Sequence, residues 1–229
     1  MSGAQASNEL SALSLKSQHD AQQANGADAS ALRASAPLIG ALERAKTTMR
    51  TLITGASGSG TTTLGHALAS ELKIACFDAD DYFWLPTEPP YQEKRDPNLR
   101  LSLLLGDLAK TQHAVISGSV MNWGAELEDS FSLIVFLTLD TELRIARLRE
   151  RETARFGRAD PEFLNWAAQY EEGRMEGRSR ALHEKWLTER SCSVLRIEGD
   201  LSVSEKVGCV AKALSNTPLQ RTRPCGDLE

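Results

Sequence analysis

Cysteine is scarce and scattered: the 229-residue chain has four, Cys76, Cys192, Cys209 and Cys225, with no CxxC pair and no companion histidine pattern. Such spacing argues against a zinc site or a disulfide framework and fits reduced thiols in a cytosol. Long apolar runs are also lacking. No stretch approaches the roughly 18 to 20 apolar residues that cross a bilayer, and the chain does not open on a basic segment followed by an apolar one, as a secretory signal does. The expectation is a cytoplasmic protein with no membrane partner. Positive charge is not in excess either, since 26 Lys and Arg stand against 31 Asp and Glu, a formal charge of -5. Nothing in that balance calls for a polyanion-binding surface, so nucleic acid is not an expected partner.

What the chain does contain is unevenly spread. Residues 1 to about 46 are rich in Ala, Ser, Gln and Asn and poor in large apolar side chains. They bury too little surface to offset their ordering entropy, which predicts a disordered N-terminal extension over 1–47. Short helices around Leu10–Leu15 and Leu38–Ala45 are compatible with that segment, as is a natural start at Met49, where the folded pattern begins. A C-terminal tail is expected over 216–229.

Between these tails, over 48–215, apolar runs alternate with helical patterns. Strands are predicted at Met49–Thr54, Ile74–Phe77, His113–Ser117, Leu133–Leu139 and Val194–Ile197. Helices are predicted at Thr61–Leu72, Leu99–Lys110, Thr141–Arg155, Ser179–Glu189 and Ser202–Leu214, and a Pro-rich loop at Leu85–Pro97. Asp160-Pro161 reads as an N-cap and an N1 proline opening a further helix, one face of which carries Phe163, Trp166, Ala167 and Tyr170. Leu133–Leu139 is a near-continuous apolar run, broken only by Thr138 and bounded by polar residues, the mark of a strand buried on both faces. Strands alternating with helices over short links, with no internal repeat, predict a three-layer α/β/α fold around a five-stranded parallel sheet.

The strongest local signal is Leu52-Ile53-Thr54-Gly55-Ala56-Ser57-Gly58-Ser59-Gly60-Thr61-Thr62-Thr63, a glycine-rich turn between a predicted strand and a predicted helix. It matches the phosphate loop G-x-x-x-x-G-K-S/T, with Gly55 and Gly60 at the two glycine positions. Glycines serve there because the backbone must approach phosphates closely, so that its N–H groups converge on the anion at a helix N-terminus. Thr62 holds the position whose hydroxyl coordinates Mg²⁺. The lysine position holds Thr61 instead, which offers a hydroxyl but no charge for the β and γ phosphates. The expected ligand is ATP or another nucleoside triphosphate with Mg²⁺, held by Gly55 to Thr63; the plain alternative is a Gly/Ser-rich turn that binds nothing.

Phe77-Asp78-Ala79-Asp80-Asp81 closes the second predicted strand, at the sheet edge where open α/β folds bind ligands. Here residues 50–214 as a whole resemble the nucleoside-monophosphate-kinase-like branch of P-loop kinases. Phe77-Asp78-Ala79-Asp80 resembles the F-D-x-D string of shikimate and gluconate kinases, and Asp80-Asp81-Tyr82-Phe83 is similar to the DDFF-type string of uridine and nicotinamide riboside kinases. The resemblance implies that Asp78 helps hold the Mg²⁺ shell and that Asp80, or else Asp81, takes the proton of the acceptor hydroxyl. It also accounts for the third strand ending Val115-Ile116-Ser117-Gly118-Ser119 without a terminal Asp. The alternative for Asp80 or Asp81 is a turn or helix cap.

Arg144, Arg147, Arg149, Arg151, Arg155 and Arg158 crowd one predicted helix and its end. This resembles the helix leading into the lid of these kinases, which implies a lid over about 153–180. By that resemblance Arg147, Arg151, Arg155 or Arg158 closes over the phosphates and makes up the charge Thr61 lacks, with Lys94 and Arg95 of the Pro-rich loop as competing donors. A solvated, salt-bridged helix interleaved with Glu142, Glu150 and Glu152 is the alternative. Gly199-Asp200 stands where this branch packs a loop against the base, or is a plain turn. Tyr82, Trp84 and Trp123 are candidates for an acceptor pocket or for core, and His66, His113 and His183 show no partner spacing.

Two functional classes follow. The leading one is a small-molecule kinase that transfers a phosphoryl group from ATP·Mg²⁺ to a hydroxyl or phosphate acceptor; the other is a nucleotide-binding module without turnover, which Thr61 favours. A third, sulfotransfer, rests on Ser59-Gly60-Thr61-Thr62, but Gly58 stands where the sulfotransferase loop carries its lysine.

Overall fold

The computed structural model describes residues 48–173 and 178–216. The expected N-terminal extension, its short helices and the C-terminal tail beyond Asn216 lie outside the described residues. Five strands, β1 (Met49–Gly55), β2 (Ala75–Asp78), β3 (His113–Ser117), β4 (Leu133–Thr138) and β5 (Ser193–Glu198), form one sheet in the order β2-β3-β1-β4-β5. Every pairing is parallel. β1 is central because it is flanked by two apolar strands in register, Met49 beside His113 on one side and Gly55 beside Leu137 on the other. The helices are α1 (Thr61–Leu72), α2 (Ala79–Phe83), α3 (Pro97–Leu108), α4 (Ala125–Glu128), α5 (Thr141–Phe156), α6 (Pro161–Ala168), α7 (Arg180–Thr188) and α8 (Val203–Asn216).

Strand alternation sorts the core onto two faces. Ile53, Val115 and Val135 pack with Leu64 and Leu68 of α1 and with Val207 and Val210 of α8. Leu52, Ile116, Ile134 and Phe136 pack with Leu104 and Leu108 of α3 and with Trp186 and Leu187 of α7. The expected three-layer architecture is therefore the one observed. A small third cluster, Leu148, Leu164 and Ala167, joins α5 to α6.

The departures from expectation are local. α3 starts at Pro97 rather than Leu99, because the Asp96 carboxylate caps it by accepting from the Asn98 and Leu99 N–H groups. Two short helices, α2 and α4, were not expected. On α6 the anticipated face is only half right: Ala167 is buried, but Trp166 stands out at 37% exposure, stacked on Phe163, and Leu164 takes the inward position. Tyr170 is buried beyond the helix end, so helical periodicity no longer governs it.

Candidate functional site

β1 delivers the glycine-rich segment to the carboxyl edge of the sheet, between β3 and β4. Gly55 ends the strand; a Cβ there would lie 2.5 Å from the Leu137 carbonyl oxygen. Ala56 is buried, Ser57 and Gly58 are half-buried, and the Ser59 N–H closes the turn on the Ala56 carbonyl at 3.1 Å. Gly58 has φ +83°, and a side chain on it would run into the Arg144 carbonyl 2.7 Å away. Gly60 has φ +94°, and its missing Cβ faces open space. Both glycines therefore adopt backbone that other residues rarely take, one against α5 and one facing outward.

α1 begins directly after Gly60 with no side chain capping it and no acid in its first turn. The Thr61, Thr62 and Thr63 amides thus sit at a helix N-terminus that no side-chain cap occupies. By contrast, Asp78, Asp96, Asp140, Asp160 and Ser179 cap α2, α3, α5, α6 and α7 with their side chains. The helix dipole and free amides together suit a phosphate.

Thr62 and Asp78, sixteen positions apart, meet here: the Thr62 hydroxyl donates to Asp78 Oδ2 at 2.9 Å. Asp78 Oδ1 accepts the Asp80 N–H at 3.0 Å, so the same carboxylate caps α2. Asp80 is open to solvent but sits among enough protein atoms to be desolvated. That burial first, and then the Asp78 charge, push its carboxyl above the ordinary range, while Arg178 and Arg151 pull it back. Asp81 is also raised, by burial and by Asp78, with His66 opposing; Asp78 acts on both carboxyls, but the cations opposing it differ.

Among the described residues no cluster of three or more His, Cys, Asp or Glu side chains forms a ready metal cage. One hydroxyl and one carboxylate are instead the donor set a Mg²⁺ ion accepts when phosphate oxygens and water complete its shell. The outward-facing backbone at Gly60, the uncapped α1 amides and this oxygen pair therefore fit a nucleotide with Mg²⁺.

The arginines disperse along α5. Arg151 acts electrostatically on Asp80 and hydrogen-bonds Glu152 at 2.8 Å. Arg147 forms an ion pair with Asp200, in the loop after β5. Arg155 donates to the Tyr91 hydroxyl at 2.7 Å and lies over that ring, bridging α5 to the Pro-rich loop. Arg158 lines a separate groove between α5 and α6 with Arg149 and Asn165. Arg95 donates to the Tyr82 and Trp84 carbonyls, which holds the Pro-rich loop to α2, and Lys94 bridges to Trp84 through its backbone. Trp123 belongs to the core, stacked near Phe83 with Arg100 over its ring, and Tyr82 donates to Asp107 at 2.8 Å.

Sequence reasoning missed Arg178, and did not foresee the burial of Arg144 or the pairing of His183 with Tyr170. Arg178 is half-buried, and its charge reaches Asp80, Tyr170 and His183. Arg144 is fully buried. His183 is fully buried with Nδ1 2.7 Å from the Tyr170 hydroxyl and Nε2 3.5 Å from Ser119 Oγ. Burial, then the Arg178 charge, lower its pKa to about 3, so the imidazole is neutral. None of these carries a motif; their partners are distant in sequence.

Comparison with known proteins finds these similarities. The AAA domain family matches residues 52–162. A gluconokinase structure from Sinorhizobium meliloti 1021 superposes with TM-score 0.47 and 18% identity, covering 74% of this chain and 93% of that one. Shikimate kinase from Acinetobacter baumannii, in complex with shikimate, gives TM-score 0.47 and 17% identity over 76% of this chain and 98% of that one. In sequence, the uncharacterized protein YqaC of Bacillus subtilis (strain 168) is 42% identical over 174 residues, 72% of this chain and 96% of YqaC. No helix among the described residues is long and apolar enough to cross a membrane. The chain therefore carries a phosphate-type loop at the end of the central strand of a parallel β2-β3-β1-β4-β5 sheet, and it belongs to the family that includes YqaC.

Proposed function

We propose that the chain is an ATP- and Mg²⁺-dependent phosphotransferase acting on a hydroxyl or phosphate of a small-molecule acceptor. The observation that carries this reading is the 2.9 Å meeting of Thr62 and Asp78 beside the uncapped start of α1, with the desolvated Asp80 two residues on. The bound nucleotide supplies the phosphoryl group. The amides of Gly55 to Thr63 hold its phosphates, and the Thr62 and Asp78 oxygens hold the metal. Asp80 accepts the proton of the acceptor hydroxyl, a role for which a carboxyl raised toward neutrality is better matched than an ordinary one; Asp81 is the competing base. Arg151, then Arg147 and Arg155, supply charge as a lid over about 153–180 closes.

Gly60→Val tests the loop directly, because its side chain would occupy the open space over the cradle. Calorimetry is expected to show loss of Mg²⁺-dependent ATP binding, with a cooperative melting transition retained at a temperature lowered by the strain of a β-branched residue at φ +94°. ATP binding unchanged in that variant would remove the reading. The second reading, a nucleotide-binding module without turnover, is favoured by Thr61 at the lysine position. Thermal-shift screening with ATP, GTP and the sulfate-donor nucleotide, followed by acceptor screening, separates it from transfer: binding without turnover for any acceptor supports the module.

A further inference from the structure

Arg144 is the largest side chain that is completely buried. Its guanidinium donates from Nε to the Leu139 carbonyl at 3.2 Å, from Nη1 to the Ser57 and Ala167 carbonyls at 3.1 and 3.2 Å, and from Nη2 to Thr141 Oγ1 at 3.0 Å. It also lies 5.5 Å from the centre of the Tyr170 ring. These acceptors come from the phosphate-type loop, the β4–α5 corner, the first turn of α5 and the end of α6. All are neutral. The positive charge is thus held by dipoles instead of being cancelled by a bonded carboxylate, and Asp140 and Glu171 act on it only through space.

An exposed surface ion pair would stabilise little, but a charge fixed in low dielectric projects its field. The carbonyl that Arg144 binds on the loop belongs to the Ser57–Gly58 peptide, whose other end is the Gly58 N–H. A cationic donor on the oxygen polarises that amide and makes its N–H a stronger donor. Gly58 also packs directly on the Arg144 backbone, so the loop cannot drift from this charge. Thr61, meanwhile, brings no charge to the front of the loop.

We propose that Arg144 supplies, from behind the loop, the fixed positive charge for holding polyphosphate that Thr61 lacks. It acts as a positioning residue through the Ser57–Gly58 peptide and touches no ligand. The proposal rests on the nucleotide-binding reading of the loop and differs from the lid arginines in acting on ground-state affinity.

The test is calorimetry on the full chain with Mg·ATP and with adenosine, for the parent, Arg144→Lys, Arg144→Gln, Thr61→Lys and Arg144→Gln/Thr61→Lys. Arg144→Gln is expected to weaken Mg·ATP by about 30-fold, the scale of one hydrogen bond to a charged group, and adenosine by less than about 3-fold. Arg144→Lys keeps the charge and most of the ATP preference. Thr61→Lys restores at least about tenfold of the affinity lost in Arg144→Gln, but raises the parent's by less than about 3-fold. Equal loss of ATP and adenosine affinity in both Arg144 variants would mean a purely structural role and overturn the proposal. A tenfold gain from Thr61→Lys in the parent would overturn it too, and that arm decides alone if Arg144→Gln does not fold. A parent that binds no Mg·ATP rejects the nucleotide reading itself, a result distinct from either.

Discussion

Two carboxylates two residues apart are asked to do different things. Asp78 is bonded on both oxygens, to Thr62 and to the Asp80 amide, whereas Asp80 is pushed up by burial and by Asp78 itself. A raised carboxyl means that the folded state holds the proton more tightly than the unfolded chain. Stability is therefore lost as pH rises through the folded value, and the penalty persists at neutral pH. Asp80→Asn removes that penalty: its melting temperature at pH 7 should equal or exceed the parent's, while turnover falls by orders of magnitude and ATP affinity stays within a few-fold. A variant that keeps parental turnover would pass the base role to Asp81, for which Asp81→Asn is the companion measurement.

At the scale of elements, α5 distributes its arginines among separate tasks. Arg151 is the one whose charge reaches Asp80, while Arg147 is engaged by Asp200 and Arg155 by Tyr91. Arg151→Ala should lower kcat by roughly 10³-fold, the scale of mobile arginine donors, and Arg147→Ala and Arg155→Ala by clearly less. Steady-state kinetics showing the reverse order would mean that the Asp200 and Tyr91 partners let go when the lid closes. The loop depends on α5 in a second way. Gly58→Ala puts a Cβ 2.7 Å from the Arg144 carbonyl at φ +83°, so denaturant unfolding should show a loss of about 1–3 kcal/mol.

For the whole molecule, the buried neutral His183 sets an acid limit. Its pKa is lowered from 6.5 to about 3, so below about pH 6.5 the unfolded chain takes up a proton that the native state refuses. The stability from this group is present above that pH and drains away by about 1.4 kcal/mol per pH unit as pH falls toward 3. Melting curves from pH 7.5 to 5 should descend, and His183→Gln should flatten the descent; an unchanged slope would locate the acid sensitivity elsewhere. His183 also marks where sequence reading stops. The loop from Gly55 to Thr63, its missing lysine, the Asp78-Ala79-Asp80-Asp81 string and the five parallel strands were legible because each is written in neighbouring residues or in strand and helix periodicity. The meeting of Thr62 with Asp78 follows once β1 and β2 share a parallel sheet. Which arginine faces Asp80, the burial of Arg144 behind Ser57, the electrostatic coupling of Arg178 to Asp80 and His183, and the outward turn of Trp166 were not legible. A run of arginines on one helix looks alike from every side until the β4–α5 corner and α6 fix which face is buried. Only tertiary packing brings carbonyls 87 and 23 positions away to one guanidinium, and the desolvation that keeps His183 neutral and raises the Asp80 carboxyl exists only in the folded chain.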